Sequence, residues 1–222
     1  MLTSSRALKN TLRYANVSKC HMEQLIFPPR MYNLLWTIRN STLEKKILDC
    51  GAGGRNPPLA IFHQHGYETH GVEISEDQLE HAATFCKTHS IDLNIVKGDM
   101  RKLEYSDESF SHVFSQNSIF HLTKADTATA MSEMRRVLRP DGYLYVNFLS
   151  VDDQRCGFGE EVGPGEWVAP EGGESTLHSY YQDNEPDVYF DNMEFVLKTK
   201  NITDFDNGEY VMGHLEYIVR KK

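Results

Sequence analysis

Long apolar runs are missing from this 222-residue chain. No stretch approaches the roughly 18 apolar residues that a membrane-spanning helix needs, so no membrane partner is expected. Cysteine is sparse as well. Cys20, Cys50, Cys86 and Cys156 are scattered, with no CxxC pair and no Cys/His spacing suited to zinc. Neither a disulfide framework nor a metal site is expected, and reduced thiols in a cytoplasmic protein are the simplest account. Positive charge is also short: 23 lysines and arginines face 32 acids, a formal charge of −9. That balance argues against a nucleic-acid partner, which needs a basic stripe. There is no signal-peptide pattern and no internal repeat. Nothing of this kind fixes an oligomeric state.

Aromatic residues at 11% and charged residues at 25% are ordinary for a globular domain. The length suits one domain. Its expected parts are an N-terminal helical cover (1–40), a core (41–150), an acidic insertion (151–187) and closing antiparallel strands (188–222).

The most informative stretch is Ile47-Leu48-Asp49-Cys50-Gly51-Ala52-Gly53-Gly54-Arg55, followed by Pro57 and Pro58. A short apolar run ends in an acid, breaks into glycines, and meets prolines suited to the first turn of a helix. Such a strand, loop and helix start brings backbone N–H groups close to a ligand. Side chains at the glycines would hold that ligand off. The dinucleotide fingerprint asks for a sixth-position glycine where this chain has Asn56, and Asp49 would repel a pyrophosphate. The acid suits a ligand carrying an amino group and a sulfonium.

From Ile47 to Leu149 apolar runs alternate with helix-length segments, the pattern of βαβ units and a parallel sheet. Strands are expected at 67–72, 93–96, 112–115 and 143–149. A helix is expected from Pro57 to His65, and Ser75-Glu76-Asp77-Gln78 is a capping box that opens another. Thr123 caps a third. Near the end, 195–197 and 210–219 read as two strands with a turn at Asp206-Asn207-Gly208. The fold class is therefore α/β: a Rossmann-like, doubly wound, mostly parallel sheet with a C-terminal antiparallel hairpin. Glu73 and Asp99 end the second and third strands, as Asp49 ends the first. Strand carboxyl ends converge on one crevice in such a sheet, so the three acids are expected around one ligand.

These stretches, with Gly71-Val72-Glu73-Ile74-Ser75, Lys97-Gly98-Asp99-Met100, residues 106–115 and residues 136–143, resemble the ordered motifs of class I S-adenosylmethionine-dependent methyltransferases. The likeness is to the small-molecule branch that includes ubiquinone-biosynthesis-type enzymes. It implies S-adenosyl-L-methionine as cofactor and a small-molecule methyl acceptor as partner. It implies that Gly51, Ala52 and Gly53 lie against the methionine part, with Asp49 near its amino group and Ser115 and Gln116 close by. It further implies Glu73 on the ribose, Ile74 against the adenine, and Asp99 and Met100 reading the adenine edge. Arg55 and Ser111 depart from the family pattern.

A methyl sulfonium is already electrophilic, so catalysis would come mainly from aligning the acceptor. A base is needed only where the acceptor must lose a proton, and His121 is the candidate. Tyr14 and Trp36, in the helical cover, are candidates to face a substrate pocket. Residues 151–187 hold many glycines and prolines and ten acids against one base, Arg155. No regular element is expected there. The segment is either a solvated loop or a lid, with Trp167, His178 and Tyr181 as wall residues. Two alternatives stay open: a catalytically silent S-adenosylmethionine-binding protein and a nicotinamide-dependent oxidoreductase.

Overall fold

The computed structural model describes residues 27, 29–205 and 210–222. Among them, β1 (Lys46–Cys50), β2 (Glu68–Glu73), β3 (Ile95–Lys97), β4 (Phe110–Ser115) and β5 (Leu138–Ser150) are mutually parallel in the order β3-β2-β1-β4-β5. The reversal between β1 and β4 is the switch point at which such sheets bind ligands beyond their strand carboxyl ends. The sheet is apolar on both faces, as parallel sheets covered by helices must be. Along β1 and β4, Leu48 and Val113 join one buried cluster while Ile47 and Phe114 join the other.

Helix α1 (Pro29–Ile38) buries Met31, Leu34 and Ile38, one stripe at helical spacing. Tyr32 and Trp36 face outward. Helix α2 (Leu59–Gln64) is short and almost wholly apolar, and follows the two prolines. Ser75 starts α3 (Glu76–His89): its Oγ accepts from the Gln78 N–H. Thr123 does the same for α4 (Lys124–Val137), accepting from the Asp126 N–H at 3.1 Å. The stripe Ala130, Met131, Met134 and Val137 then packs α4 on the sheet.

Phe110 pairs with Leu138 and His112 with Tyr143, so residues 139–142 bulge out of β5, with Asp141 in left-handed backbone (φ 62°). The expected turn after α4 is thus an irregularity inside a longer strand.

The insertion differs from expectation. Residues 151–187 contain three strands, β6 (Glu160–Gly163), β7 (Glu166–Glu171) and β8 (Glu174–Tyr181), in an antiparallel meander. The glycines read as breakers are its turns: Gly165, Gly172 and Gly173 all have positive φ. Such φ values suit tight hairpin connections. The meander joins the main sheet where Leu149 and Ser150 of β5 pair with Tyr180 and Tyr181. Half of its ten acids are paired with cations: Arg155 holds Glu171, Lys124 holds Glu185, Lys198 holds Asp187, and Lys200 meets Asp152 and Asp183.

The chain closes with β9 (Met193–Phe205) and β10 (Tyr210–Lys221), antiparallel to each other, with β10 also antiparallel to β5. The expected turn at 206–208 lies outside the described residues. The Rossmann-like sheet with its antiparallel closing pair matches the expected fold class.

Candidate functional site

Beyond the carboxyl ends of β1, β2 and β3 lies a cavity of about 520 Å³. Its floor is the glycine corner after β1. Gly51 sits at φ 97°, and a Cβ there would stand 2.3 Å from the Ser118 Cβ. A Cβ on Gly53 would stand 2.5 Å from the Gln78 Cβ and 2.7 Å from Glu73 Oε2. Neither position takes a side chain without moving its neighbours, so the backbone itself forms the wall.

Glu73 fixes this corner. Its Oε2 accepts the Gly53 N–H at 3.0 Å and its Oε1 accepts the Ser75 N–H at 2.9 Å. Those two bonds leave lone pairs on both oxygens, since a carboxylate offers about four acceptor sites. Ile74 beside it is 59% exposed on the rim. Asp99, also lining the cavity, is gripped by Arg101: Nη2 lies 2.7 Å from Oδ2, and the Arg101 N–H donates to Oδ1 at 2.8 Å. These bonds hold Asp99 below the ordinary carboxylate range. Arg101 also bridges to Asp126 at 2.9 Å, a link that sequence reading missed because no local pattern announces it.

Asp49 is different. It is 1% exposed, and neither carboxylate oxygen has a hydrogen-bond partner among the described residues. Burial, then repulsion by Glu73, pushes its carboxyl well above the ordinary range. A buried, unpaired carboxylate beside a glycine-walled cavity suits an arriving cation.

Of the residues expected around a cofactor, Gly51, Gly53, Glu73, Ile74, Asp99, Met100 and Gln116 line the cavity. Asp49, Ala52 and Ser115 are buried behind it and do not line it. Sequence reading missed Ser118, Asn117 and Gln78 as wall residues. Gln78 was visible only as a cap. Asn117 is set by a reciprocal amide pair with buried Asn147, its N–H and Oδ1 each bonded at 2.8 Å.

His121, at the end of a 3₁₀ turn (Ile119–His121) after β4, lines this cavity and also a second one of about 220 Å³. Its Nδ1–H donates to the Leu177 carbonyl oxygen at 3.2 Å. Packing against the meander lowers its pKa through desolvation. His178 shares the second cavity, its ring 4.7 Å from that of His121. His214 from β10 completes the wall, with Arg30 Nη2 donating to its Nδ1 at 3.2 Å. His214 carried no local signal, because its role comes from β10 pairing beside Leu149.

The remaining substrate candidates are corrected by their surroundings. Trp36 points to solvent, 67% exposed, with the Arg39 guanidinium 3.4 Å over its ring. Tyr181 is a core residue, packed on Phe148 with its hydroxyl 3.2 Å from Thr127 Oγ1. Trp167 packs against the Phe120, Leu149 and Tyr180 cluster and lines neither cavity. Tyr14 lies outside the described residues.

Comparison with known proteins bears on the family and the fold. Residues 48–146 match the family model described as a methyltransferase domain. The chain is 29% identical over 119 residues to methyltransferase GfsG of Streptomyces halstedii, covering 53% of this chain and 42% of that protein. It is 31% identical over 99 residues to a sterol 24-C-methyltransferase of Gibberella zeae, covering 44% of this chain and 26% of that protein. The chain thus spans less than half the length of these relatives. An S-adenosylmethionine-dependent methyltransferase structure from Methanosarcina mazei superposes with a TM-score of 0.68 at 20% identity, over 83% of this chain and 96% of that one. A toxoflavin-precursor N-methyltransferase from Burkholderia thailandensis, solved with S-adenosylhomocysteine, gives 0.62 at 15% identity over 87% and 77%. Residues 48–146 thus match the methyltransferase-domain family model, and the sheet that carries them is shared with these structures.

Proposed function

We propose that the chain is an S-adenosylmethionine-dependent methyltransferase acting on a small-molecule acceptor. One observation carries the reading: at three neighbouring strand ends, Glu73 and Asp99 line one glycine-walled cavity and Asp49 is buried behind its wall. The residues fit the cofactor's chemistry. Buried, unpartnered Asp49 suits its ammonium group, and Glu73 keeps lone pairs for a ribose diol. Exposed Ile74 offers an apolar face to a base, and the Asp99–Met100 rim meets its edge. When bound, the cofactor supplies an electrophilic methyl group on a sulfonium.

The chain's own work is then positioning. Gly51 and Gly53 permit close approach, and the Asn117–Asn147 pair fixes the wall between the two cavities. Orientation of this kind is worth up to about 7–11 kcal/mol of barrier. His121 stands where both cavities meet, within reach of an acceptor proton. The relatives are named as a sterol C-methyltransferase, an O-methyltransferase and a glycine/sarcosine/dimethylglycine N-methyltransferase. A place in the ubiquinone-type branch would make the acceptor a small ring compound. The acidic balance and the unpaired thiols of Cys50, Cys86 and Cys156 support a cytoplasmic enzyme without a nucleic-acid partner.

Calorimetric titration with S-adenosylhomocysteine and, separately, with NAD tests the reading. Saturable one-to-one heat with the former alone is expected. Heat with NAD alone would replace the reading with an oxidoreductase.

A further inference from the structure

The second cavity is built unlike the first. At about 220 Å³ it is smaller than the roughly 300–1,000 Å³ pockets that take drug-sized ligands. Its hub is the Phe120 ring, with the rings of His121, His178 and His214 centred 4.8, 6.3 and 6.3 Å away. Leu149 and Tyr180 add apolar wall. A compact planar guest suits such a lining.

The charges at this cavity are all engaged. Arg155 Nη1 lies 2.7 Å from Glu171 Oε1, and the other Glu171 oxygen lies 3.3 Å from His178 Nε2. Asp153 accepts the Gly213 N–H and the Arg155 N–H, both at 2.9 Å. Arg30, behind His214, is paired with Glu216 at 2.8 Å. Burial holds His178 and His214 down to about 4 and lowers His121, so these rings are neutral near neutral pH. An anionic acceptor would meet no unpaired arginine or lysine in this lining, and Asp153, the one carboxylate there without a paired cation among the described residues, is 5% exposed and already accepts two backbone N–H bonds.

Two hydrogen bonds fix the tautomers. The Leu177 carbonyl can only accept, so His121 Nδ1 carries the hydrogen and neutral Nε2 holds a lone pair. The Arg30 guanidinium can only donate, so His214 Nδ1 accepts and Nε2 carries the hydrogen. One ring with an acceptor nitrogen and one ring with a donor N–H therefore line the same aromatic cavity.

We propose that this cavity is the acceptor site for a small, uncharged ring compound with a free hydroxyl, which donates to His121 Nε2 and accepts from His214 Nε2. The assignment rests on the methyl-transfer reading and deepens it. His121 Nε2 would take the hydroxyl proton and become an imidazolium, leaving the electron pair on the oxygen; the O–C bond would form as the C–S bond breaks, its electron pair returning to the sulfonium sulfur as the neutral thioether leaves.

Three probes test it by calorimetric titration, each with and without saturating S-adenosylhomocysteine: 4-ethylphenol, its methyl ether and 4-ethylbenzoate. The phenol is expected to bind about tenfold tighter than either of the others, the size of effect expected when one hydrogen bond in the cavity is lost. In His121→Phe, which keeps a ring but no lone pair, the phenol-to-ether preference falls to about twofold or less. His214→Phe, with His121 intact, weakens the phenol about tenfold. A methyl ether or carboxylate that binds wild type as tightly as the phenol overturns the assignment. So does a hydroxyl preference that survives in His121→Phe. If S-adenosylhomocysteine binds and the hydroxyl preference is missing, the acceptor class fails alone. If S-adenosylhomocysteine gives no heat, the methyl-transfer reading fails with it.

Discussion

Replacing Asp49 by Asn separates the cofactor's ammonium from every other contact. The wild-type carboxylate is 1% exposed, its two oxygens lack partners among the described residues, and burial followed by Glu73 raises its pKa. A hydrogen bond to a charged group is worth about 1.5–3 kcal/mol. At about 1.4 kcal/mol per decade, the variant should bind S-adenosylhomocysteine about tenfold to a hundredfold more weakly. The raised pKa adds a sign that distinguishes this from a general defect. Between the unfolded value of about 3.9 and the raised folded value, the native state without ligand keeps a proton that the unfolded chain has lost. That contribution to stability is complete below the unfolded value and disappears as pH rises through the folded one. Asn removes the decline, so the variant gains stability relative to wild type as pH rises through that window. Binding an ammonium requires ionised Asp49, so wild-type binding releases a proton in the same window. Titrations in phosphate and in Tris should therefore give different heats for wild type and equal heats for Asp49→Asn. Equal affinity for the two proteins, or buffer-independent heat in wild type, would refute the pairing.

Other perturbations read different parts of the molecule. Gly53→Ala places a methyl group 2.7 Å from Glu73 Oε2, and should weaken S-adenosylhomocysteine at least about tenfold by calorimetry while the secondary structure seen by circular dichroism is kept. Arg30→Met leaves Glu216, 1% exposed, with only Asn201 Nδ2 at 2.5 Å among the described residues, and should cost about 3 kcal/mol in urea denaturation. His112, buried between Tyr67 and Tyr143, is lowered from 6.5 to about 4 by burial. The unfolded chain binds that proton first, so stability falls as pH drops through this window, by up to about 3 kcal/mol. His112→Phe should lose about that much less between the two pH values in denaturant titrations.

Most of the lining of the glycine-walled cavity was legible in sequence because it lies at strand ends. A strand followed by glycines, and acids at Asp49, Glu73 and Asp99, recur at the period of the βαβ unit, which local pattern reports well. The caps at Ser75 and Thr123 fell where their side chains predicted. The acceptor half was not legible, because residues distant in sequence assemble it. His121 follows β4, His178 lies on β8, and His214 lies on β10, which reaches the cavity only through antiparallel pairing with β5. The insertion misled for a related reason. Glycines that break a helix also turn a hairpin, and 165, 172 and 173 do the latter. In α1 the buried stripe is Met31, Leu34 and Ile38, which leaves Trp36 on the outer face.

A crystal structure of the S-adenosylhomocysteine complex tests the central claim most directly. The account predicts density in the cavity walled by Gly51 and Gly53, with the amino group at Asp49, the ribose hydroxyls at Glu73 and the sulfur facing His121. Density at another face of the sheet, or a ribose turned away from Glu73, would contradict it.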